Sequence, residues 1–200
     1  MSISQTAAIV LAAGLSSRMG QPKMLLPWGA RTVLAQVVHT LQQAAVPQIV
    51  VVTGGQHAAI ASALHDTPAR VVFNPSFEND SMLTSLQVGL RALTPNAHMA
   101  LVTLGDQPQM QAATVTAVIA GWQVTRAPVV APSFQMRRGH PWALDASLWG
   151  AALTLEPPRT LRDLFSLAGN RIHYVLVDTP TIFQDLDTPE DYARAARASD

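Results

Sequence analysis

Residues 6–28 read TAAIVLAAGLSSRMGQPKMLLPW, in which an apolar run opens directly into a polar loop. The run over 6–12 predicts a buried β-strand, because apolar residues follow one another with little interruption. The loop contains glycines, serines, an arginine and a lysine. Open α/β sheets bind ligands beyond the carboxyl ends of their strands, where loops converge and helix N-termini point inward. The stretch therefore predicts the first unit of such a sheet, with a ligand-binding loop at its end.

The rest of the chain repeats this alternation of short apolar runs and segments with helical spacing, which predicts a mostly parallel sheet with crossover helices. Predicted strands cover residues 6–12, 48–53, 70–73, 99–104, 128–134, 140–144 and 172–177. Predicted helices cover 32–45, 58–64 and 114–122, a segment with leucines at 83, 86, 90 and 93, and a last helix from 189 whose TPED start has the form of a capping box. No repeat or linker is visible, so we expect one α/β domain over residues 1–200.

The composition excludes several classes of protein. The chain has 13 basic and 13 acidic residues, which gives a net charge of zero and no surface suited to nucleic acid. It has no cysteine, so disulfides and thiolate metal sites are excluded. Its apolar runs are much shorter than the roughly 20 residues of a membrane span. A secretion signal begins with basic residues, but no basic residue precedes Arg18. We expect a cytoplasmic protein without nucleic-acid or membrane partners.

The first loop has the residue types needed to hold a polyphosphate, although it matches neither common phosphate motif. Its first glycine is followed by Leu and Ser, which breaks GxGxxG, and its second glycine is followed by Gln21 rather than by the Lys and Ser or Thr of a P-loop. Glycines can turn backbone N–H groups toward an anion, serines add hydroxyl donors, and basic side chains add charge. The residues concerned are Gly14, Gly20, Ser16, Ser17, Arg18 and Lys23. The alternative is a solvated loop with incidental charges.

Acidic residues follow two later parts of the predicted sheet. Asp106, in GDQP, comes directly after the fourth strand, and DLD supplies Asp185 and Asp187 just before the last helix. Mg²⁺ binds one or two carboxylates together with phosphate oxygens, so Asp106 with Asp185 or Asp187 forms a candidate magnesium site. A strand-end aspartate is also a common turn residue, and acids before a helix are favoured by the helix dipole alone.

A basic segment, RRGHP at residues 137–141, joins the two strands predicted over 128–134 and 140–144. Its two arginines and its histidine are suited to an acidic ligand. The same residues are equally compatible with an ordinary hairpin turn.

Together these motifs resemble the molybdenum cofactor cytidylyltransferases. The stretches LAAGLSSRMGQPKMLLPW, NPSFENDSMLTSL, LGDQP, RRGHP and DLDTPEDY occur in that family's order and span nearly the whole chain. The family belongs to the NTP transferase superfamily, with the molybdopterin guanylyltransferases and the sugar-nucleotide pyrophosphorylases. LAAG, rather than LAGG, is more similar to the cytidylyl branch. This chain departs from the family pattern in one segment. The family usually has Gly directly before the Met, and that Met comes one residue sooner after NP. Here Asp80 and Ser81 precede Met82, so the loop is longer.

The resemblance implies a single-domain, Rossmann-like three-layer sandwich of the nucleotide-diphospho-sugar transferase type. It implies catalytic roles for Arg18, Lys23 and Asp106, and metal ligation by Asp106 with Asp185 or Asp187. The nucleotide-binding residues it implies are Leu11, Ala12, Ala13, Gly14, Ser16, Arg18, Lys23, Thr53, Gly54 and Ser85. The pterin substrate would meet Arg138, Gly139 and His140.

The reaction implied by the resemblance is attack of the terminal phosphate of the molybdenum cofactor (molybdopterin) on the α-phosphorus of CTP, with Mg²⁺ as cofactor. Its products are the cytosine dinucleotide form and pyrophosphate, and the finished cofactor would pass to a molybdenum hydroxylase apoenzyme. A guanylyl- or sugar-1-phosphate nucleotidyltransferase would share the first loop and Asp106. A non-catalytic carrier of the finished cofactor would use the same cleft only for binding.

Overall fold

The strand predicted over 6–12 is the centre of the fold. In the computed structural model, which describes residues 5–79 and 82–197, strand β1 (Thr6–Ala12) is buried at every position. The other strands in these ranges are β2 (Pro27–Trp28), β3 (Arg31–Thr32), β4 (Ile49–Thr53), β5 (Arg70–Phe73), β6 (Met99–Leu104), β7 (Val129–Phe134), β8 (Arg137–Arg138), β9 (Trp142–Asp145) and β10 (Ile172–Leu176). The helices are α1 (Val33–Gln43), α2 (His57–Ala63), α3 (Met82–Arg91), α4 (Ala112–Thr125), α5 (Trp149–Thr154), α6 (Asp163–Ala168) and α7 (Pro189–Arg197).

The main sheet is mostly parallel, as predicted. Its order is β10-β7-β9-β6-β1-β4-β5, and β8 pairs with the end of β7. Strand β1 is parallel to both of its neighbours, β4 and β6. Only β8 and β9 run against their partners. The first four parallel strands of the sequence, β1, β4, β5 and β6, therefore end at the same edge and bring their loops together there.

Helices cover both faces of the sheet, which makes three layers. Alternate residues of β1 point to opposite faces: Ala8 and Val10 belong to the core on one side, and Ile9 and Leu11 to the core on the other. Helices α1, α2 and α4 contribute to the first core, and α3, α5 and α6 to the second. The predicted three-layer α/β fold is confirmed.

The differences from the predicted elements are local. Helix α1 starts one residue later than predicted because the Thr32 hydroxyl accepts a hydrogen bond from the Ala35 N–H and caps the helix. Strand β9 starts after the predicted position, so His140 lies in the segment before it. The turn after β7 is made by Gln135 and Met136, both with positive φ. Helices α5 and α6 were not predicted, because each has only six residues and too few turns for a visible period.

The last part of the chain returns to the loop edge of the sheet. The predicted capping box is confirmed, since Thr188 and Asp191 each accept a hydrogen bond from the other's backbone N–H. The Tyr192 hydroxyl donates to the Pro27 carbonyl at 2.6 Å, and the Leu186 N–H donates to the Asp106 carbonyl at 3.1 Å. These contacts hold residues 185–187 beside the end of β6. Within residues 5–79 and 82–197, no helix combines the length and apolar character that crossing a membrane requires.

Candidate functional site

The loop after β1 curls back over the edge of the sheet as two short 3-10 helices, Ser17–Met19 and Lys23–Leu25. Its left-handed positions are Ser16 (φ 53°) and Gly20 (φ 65°). Gly20 meets the expectation that a glycine permits a turn, because left-handed backbone favours glycine. Gly14 does not, since its φ lies outside the left-handed region, and Ser16 takes that role instead.

Lys23 is the central charge of the site. Its Nζ lies 2.5 Å from Asp106 Oδ2 and 3.2 Å from Asp187 Oδ1, and its side chain is only 11% exposed. Burial alone lowers the pKa of Lys23, but attraction and hydrogen bonding from Asp106 and Asp187 outweigh it and raise this pKa above 10.5. Arg18 Nη1 lies 3.2 Å from Asp187 Oδ2, although its side chain is 71% exposed. Lys23 is therefore a permanently charged group held in place by two carboxylates.

Asp185 is the third carboxylate at this edge. Gln107 Nε2 donates to Asp185 Oδ1 at 2.6 Å. Burial and repulsion from the Asp106 carboxylate raise the pKa of Asp185, opposed by the hydrogen bond from Gln107. Three carboxylates thus gather around Lys23, with Arg18 at the margin. Among the described residues, no group of three or more acidic or imidazole side chains forms a ready-made metal cage, because Lys23 lies between two of the carboxylates.

These charges face a cavity of about 630 Å³, here named the first cavity. The predicted residues that line it are Leu11, Ala13, Gly14, Arg18, Lys23, Ser85, Asp106, Asp185 and Asp187. The structure therefore brings most of the predicted nucleotide and metal residues to one surface. Ser17 has no described side chain, and Asp80 and Ser81, which carry the departure from the family pattern, lie outside the described residues.

Four of the predicted nucleotide-binding residues do not line this cavity: Ala12, Ser16, Thr53 and Gly54. The Thr53 hydroxyl donates instead to the Val72 carbonyl at 3.2 Å, within the sheet. A Cβ on Gly54 would lie 2.6 Å from the Ala13 carbonyl oxygen and 2.7 Å from Phe77 Cβ. Gly54 therefore supports the wall of the cavity from behind, because its lack of a side chain lets the loop after β1 pack closely.

A second cavity of about 650 Å³ contains the predicted pterin residues Arg138, Gly139 and His140. The His140 backbone N–H donates to the Ile182 carbonyl at 2.7 Å, and its ring stacks on Trp142 with 4.3 Å between centroids. Burial lowers the pKa of His140 from 6.5 to about 4. The Arg138 guanidinium lies 4.1 Å from the centre of the Phe165 ring. Three residues of RRGHP therefore line a cavity wall, while the turn after β7 is made by Gln135 and Met136.

Sequence reasoning missed four polar residues of these cavities, which are Glu78, Gln107, Thr160 and Arg162. Gln107, only 1% exposed, orients Asp185 and lines the second cavity; its position within GDQP was the available signal. Arg162 lines both cavities. Its segment, TLRDLF, matches no motif that sequence reasoning used.

Comparison with known proteins places this geometry in a family. A family model described as the MobA-like NTP transferase domain matches residues 8–179. Molybdenum cofactor cytidylyltransferase from Escherichia coli (strain K12) is 29% identical over 194 residues, which are 94% of this chain and 93% of that protein. Nicotine blue oxidoreductase from Paenarthrobacter nicotinovorans is 32% identical over 146 residues, which are 70% of this chain and 71% of that protein.

A solved structure supports the same assignment. Rv0371c from Mycobacterium tuberculosis H37Rv is 29% identical, with a TM-score of 0.85 over 98% of this chain and 100% of that one. The same protein in complex with manganese is 28% identical, with a TM-score of 0.80 over 97% of this chain and 99% of that one. The family match includes the first loop, GDQP and RRGHP, since all three fall within residues 8–179. The chain belongs to the MobA-like NTP transferase family.

Proposed function

We propose that this chain transfers CMP from CTP to the terminal phosphate of the molybdenum cofactor (molybdopterin), and thereby forms the cytosine dinucleotide form and pyrophosphate. The observation that carries the proposal is the buried Lys23, held between Asp106 and Asp187 at the wall of the first cavity. A nucleoside triphosphate needs a fixed cation and backbone donors, and the loop after β1 offers both. The cytidylyltransferase relative, matched over 94% of this chain, supports the choice of substrates.

The proposed reaction needs charge neutralisation and correct positioning of the substrates, and it needs no general base. A phosphomonoester has its second pKa near 6 and is mostly dianionic at neutral pH. One of its oxygens forms a bond to the α-phosphorus of CTP, the bond from that phosphorus to the bridging oxygen of the β-phosphate breaks, and pyrophosphate leaves with the electron pair. The barrier is repulsion between two anions, so Lys23 and Arg18 would lower it by neutralising the triphosphate.

The donor set at this edge fits a hard divalent cation. Asp106, Asp185 and Asp187 supply carboxylate oxygens, and Asp185 is already oriented by Gln107. Asp106 with Asp185 or Asp187 would hold Mg²⁺, and phosphate oxygens of the nucleotide would complete its coordination. When bound, Mg²⁺ supplies further neutralisation of the triphosphate. Lys23, released from Asp106 and Asp187, would then pair with the phosphates. The structure of Rv0371c in complex with manganese supports the use of a divalent cation.

The test is a transfer assay with CTP or GTP, MgCl₂ and molybdopterin-type cofactor released from a molybdoenzyme. We expect pyrophosphate release and formation of the cytosine dinucleotide with CTP, and little product with GTP. Asp106→Asn should lower turnover by roughly a hundredfold or more, as loss of a preorganised charged group does. Asp66→Asn is the matched control, because the Asp66 side chain is 98% exposed and lines neither cavity.

Each other outcome contradicts part of the proposal. Faster turnover with GTP would identify a guanylyltransferase. Product formed only with a sugar 1-phosphate would show that the acceptor is a sugar phosphate rather than molybdopterin. Stoichiometric binding of the cofactor without pyrophosphate release would identify a carrier. Oxidation of NADH, when it is added to the same mixture, would instead indicate an oxidoreductase, the activity in the name of one relative. Full activity of Asp106→Asn would remove this carboxylate from the mechanism.

A further inference from the structure

The two cavities meet at a small group of shared residues. Both are lined by Met82, Leu104, Arg162 and Asp185. Met82 and Leu104 are apolar, and Asp185 accepts a hydrogen bond from Gln107. Arg162 is therefore the one basic residue among the residues common to the two cavity walls. If the first cavity holds the nucleotide, this junction is where an acceptor in the second cavity must present its reacting group.

The local structure leaves the Arg162 side chain available. Its next neighbour, Asp163, is the nearest carboxylate in the sequence. However, Asp163 accepts from Arg159 Nη1 at 3.0 Å and from the Thr160 N–H at 2.7 Å. Among the residues that the structure describes, no carboxylate forms an ion pair with Arg162. The side chain is exposed, so a ligand in either cavity can reach it.

The other basic side chains of the two cavities already have partners. Lys23 pairs with Asp106 and Asp187, and Arg18 also pairs with Asp187. The Arg138 guanidinium packs over the Phe165 ring. Arg138 keeps its N–H donors but lines only the second cavity, so Arg162 is the unpaired cation at the junction of the two. A guanidinium can bind a phosphate through two parallel hydrogen bonds.

A second observation concerns the wall of the second cavity. In the described part of the chain, four buried side-chain polar atoms have no hydrogen-bond partner. Three of them, Gln107 Oε1, His140 Nε2 and Trp142 Nε1, belong to residues that line this cavity. Buried polar atoms without a partner are costly and rare. An acceptor oxygen, an indole donor and an imidazole nitrogen beside this cavity thus have no partner in the described part of the chain, and the cavity of about 650 Å³ has room for a polar heterocycle.

We propose that Arg162 binds the phosphate of the acceptor at the junction of the two cavities, while Gln107, His140 and Trp142 hold the acceptor's heterocycle in the second cavity. Arg162 would thereby direct the phosphate toward the nucleotide in the first cavity. The assignment of this ligand as the acceptor rests on the proposed function. The binding of a phosphorylated heterocycle by Arg162 does not require it.

The test compares two probes, 6-hydroxymethylpterin and its phosphate monoester, by titration of ligand fluorescence. Wild-type protein should bind the phosphate monoester roughly tenfold to a hundredfold more tightly, as expected for charge-assisted hydrogen bonds. Arg162→Ala should reduce this preference to about onefold and leave the affinity for the unphosphorylated pterin unchanged. Arg162→Lys should keep part of the preference. Arg91→Ala is the matched control, because Arg91 is exposed and lines neither cavity.

Two results would overturn the inference: an unchanged phosphate preference in Arg162→Ala, or failure of the wild-type protein to bind either pterin. An equal loss of affinity for both pterins would show a structural role and would also overturn it. In the transfer assay, Arg162→Ala should raise the KM for the acceptor and leave the KM for CTP unchanged. If wild-type protein prefers the phosphorylated pterin but transfers no CMP, the proposed function fails while the role of Arg162 stands.

Discussion

Acidification is expected to destabilise this protein through His140. Burial lowers the pKa of this histidine from 6.5 to about 4, because its ring is stacked on Trp142 and its Nε2 has no hydrogen-bond partner. Between these two pH values the folded protein keeps the ring neutral, whereas the unfolded chain takes up a proton. The unfolded state then binds more protons, so stability falls as the pH falls through this window. The contribution is fully present above pH 6.5.

The size of this loss follows from the two pKa values of His140. The linkage relation gives a loss of roughly 2 kcal/mol in the free energy of unfolding at about pH 5, and roughly 3 kcal/mol once both states are protonated. Urea unfolding of wild-type protein and His140→Gln, at about pH 7.5 and about pH 5, measures it. Wild-type protein should lose roughly 2 kcal/mol more than the variant, because the two share every other titratable group. Equal losses, or an NMR titration of His140 centred near 6.5 in the folded protein, would refute the reasoning.

Three further predictions concern the charge of Lys23, the packing of glycines in two helices, and the cap of the last helix. Lys23→Met should lower turnover roughly a hundredfold and stability by about 3 kcal/mol, because two carboxylates lose their buried partner; wild-type values in the transfer assay and in urea would contradict this. Gly89→Ala should destabilise by about 1–2 kcal/mol, since its Cβ would lie 2.3 Å from Ile9 Cγ2. Gly150→Ala should instead stabilise its helix by up to about 1 kcal/mol, because an added Cβ would have no heavy atom within 4 Å. Equal urea-unfolding midpoints for these two variants would refute the packing argument. Thr188→Ala should cost about 1 kcal/mol through the lost cap, and Thr188→Ser should restore most of it.

The fold could be predicted because its strands carry an unambiguous signal. Strand β1 is buried at every position and β6 at nearly every position. The sequence of each is therefore a nearly continuous apolar run that ends in a turn or loop. The exact ends of the helices were harder to predict, because they depend on side chains that bond backbone groups. The Thr32 hydroxyl, for example, accepts from the Ala35 N–H at the start of α1. Helices α5 and α6 were missed because six residues give less than two turns of periodicity.

The candidate site could be predicted only in its parts. Residues of each motif were named from local sequence, but Lys23 contacts Asp106 across 83 positions and Asp187 across 164. That Lys23 would lie between the two carboxylates follows from the parallel order of β1 and β6 and from the return of residues 185–187 to the same edge. The resemblance implied a nucleotide contact for Thr53, which ends a parallel strand, yet its hydroxyl bonds the Val72 carbonyl within the sheet and the His57 ring. The strand end fixes where a residue lies, and side-chain packing decides what it faces.

Arg162 shows why a basic residue outside any motif cannot be assigned from sequence. Asp163 follows it directly, but adjacent residues of a helix do not face each other, whereas Arg159 lies four residues before Asp163. In the structure, Arg159 and the Thr160 N–H occupy that carboxylate, and the Arg162 guanidinium is left facing two cavities. Whether a charge can serve a ligand thus depends on which neighbour binds the local counter-ion first. Which cavities a guanidinium faces is set by the packing of segments far apart in the sequence, and this exists only once the chain has folded.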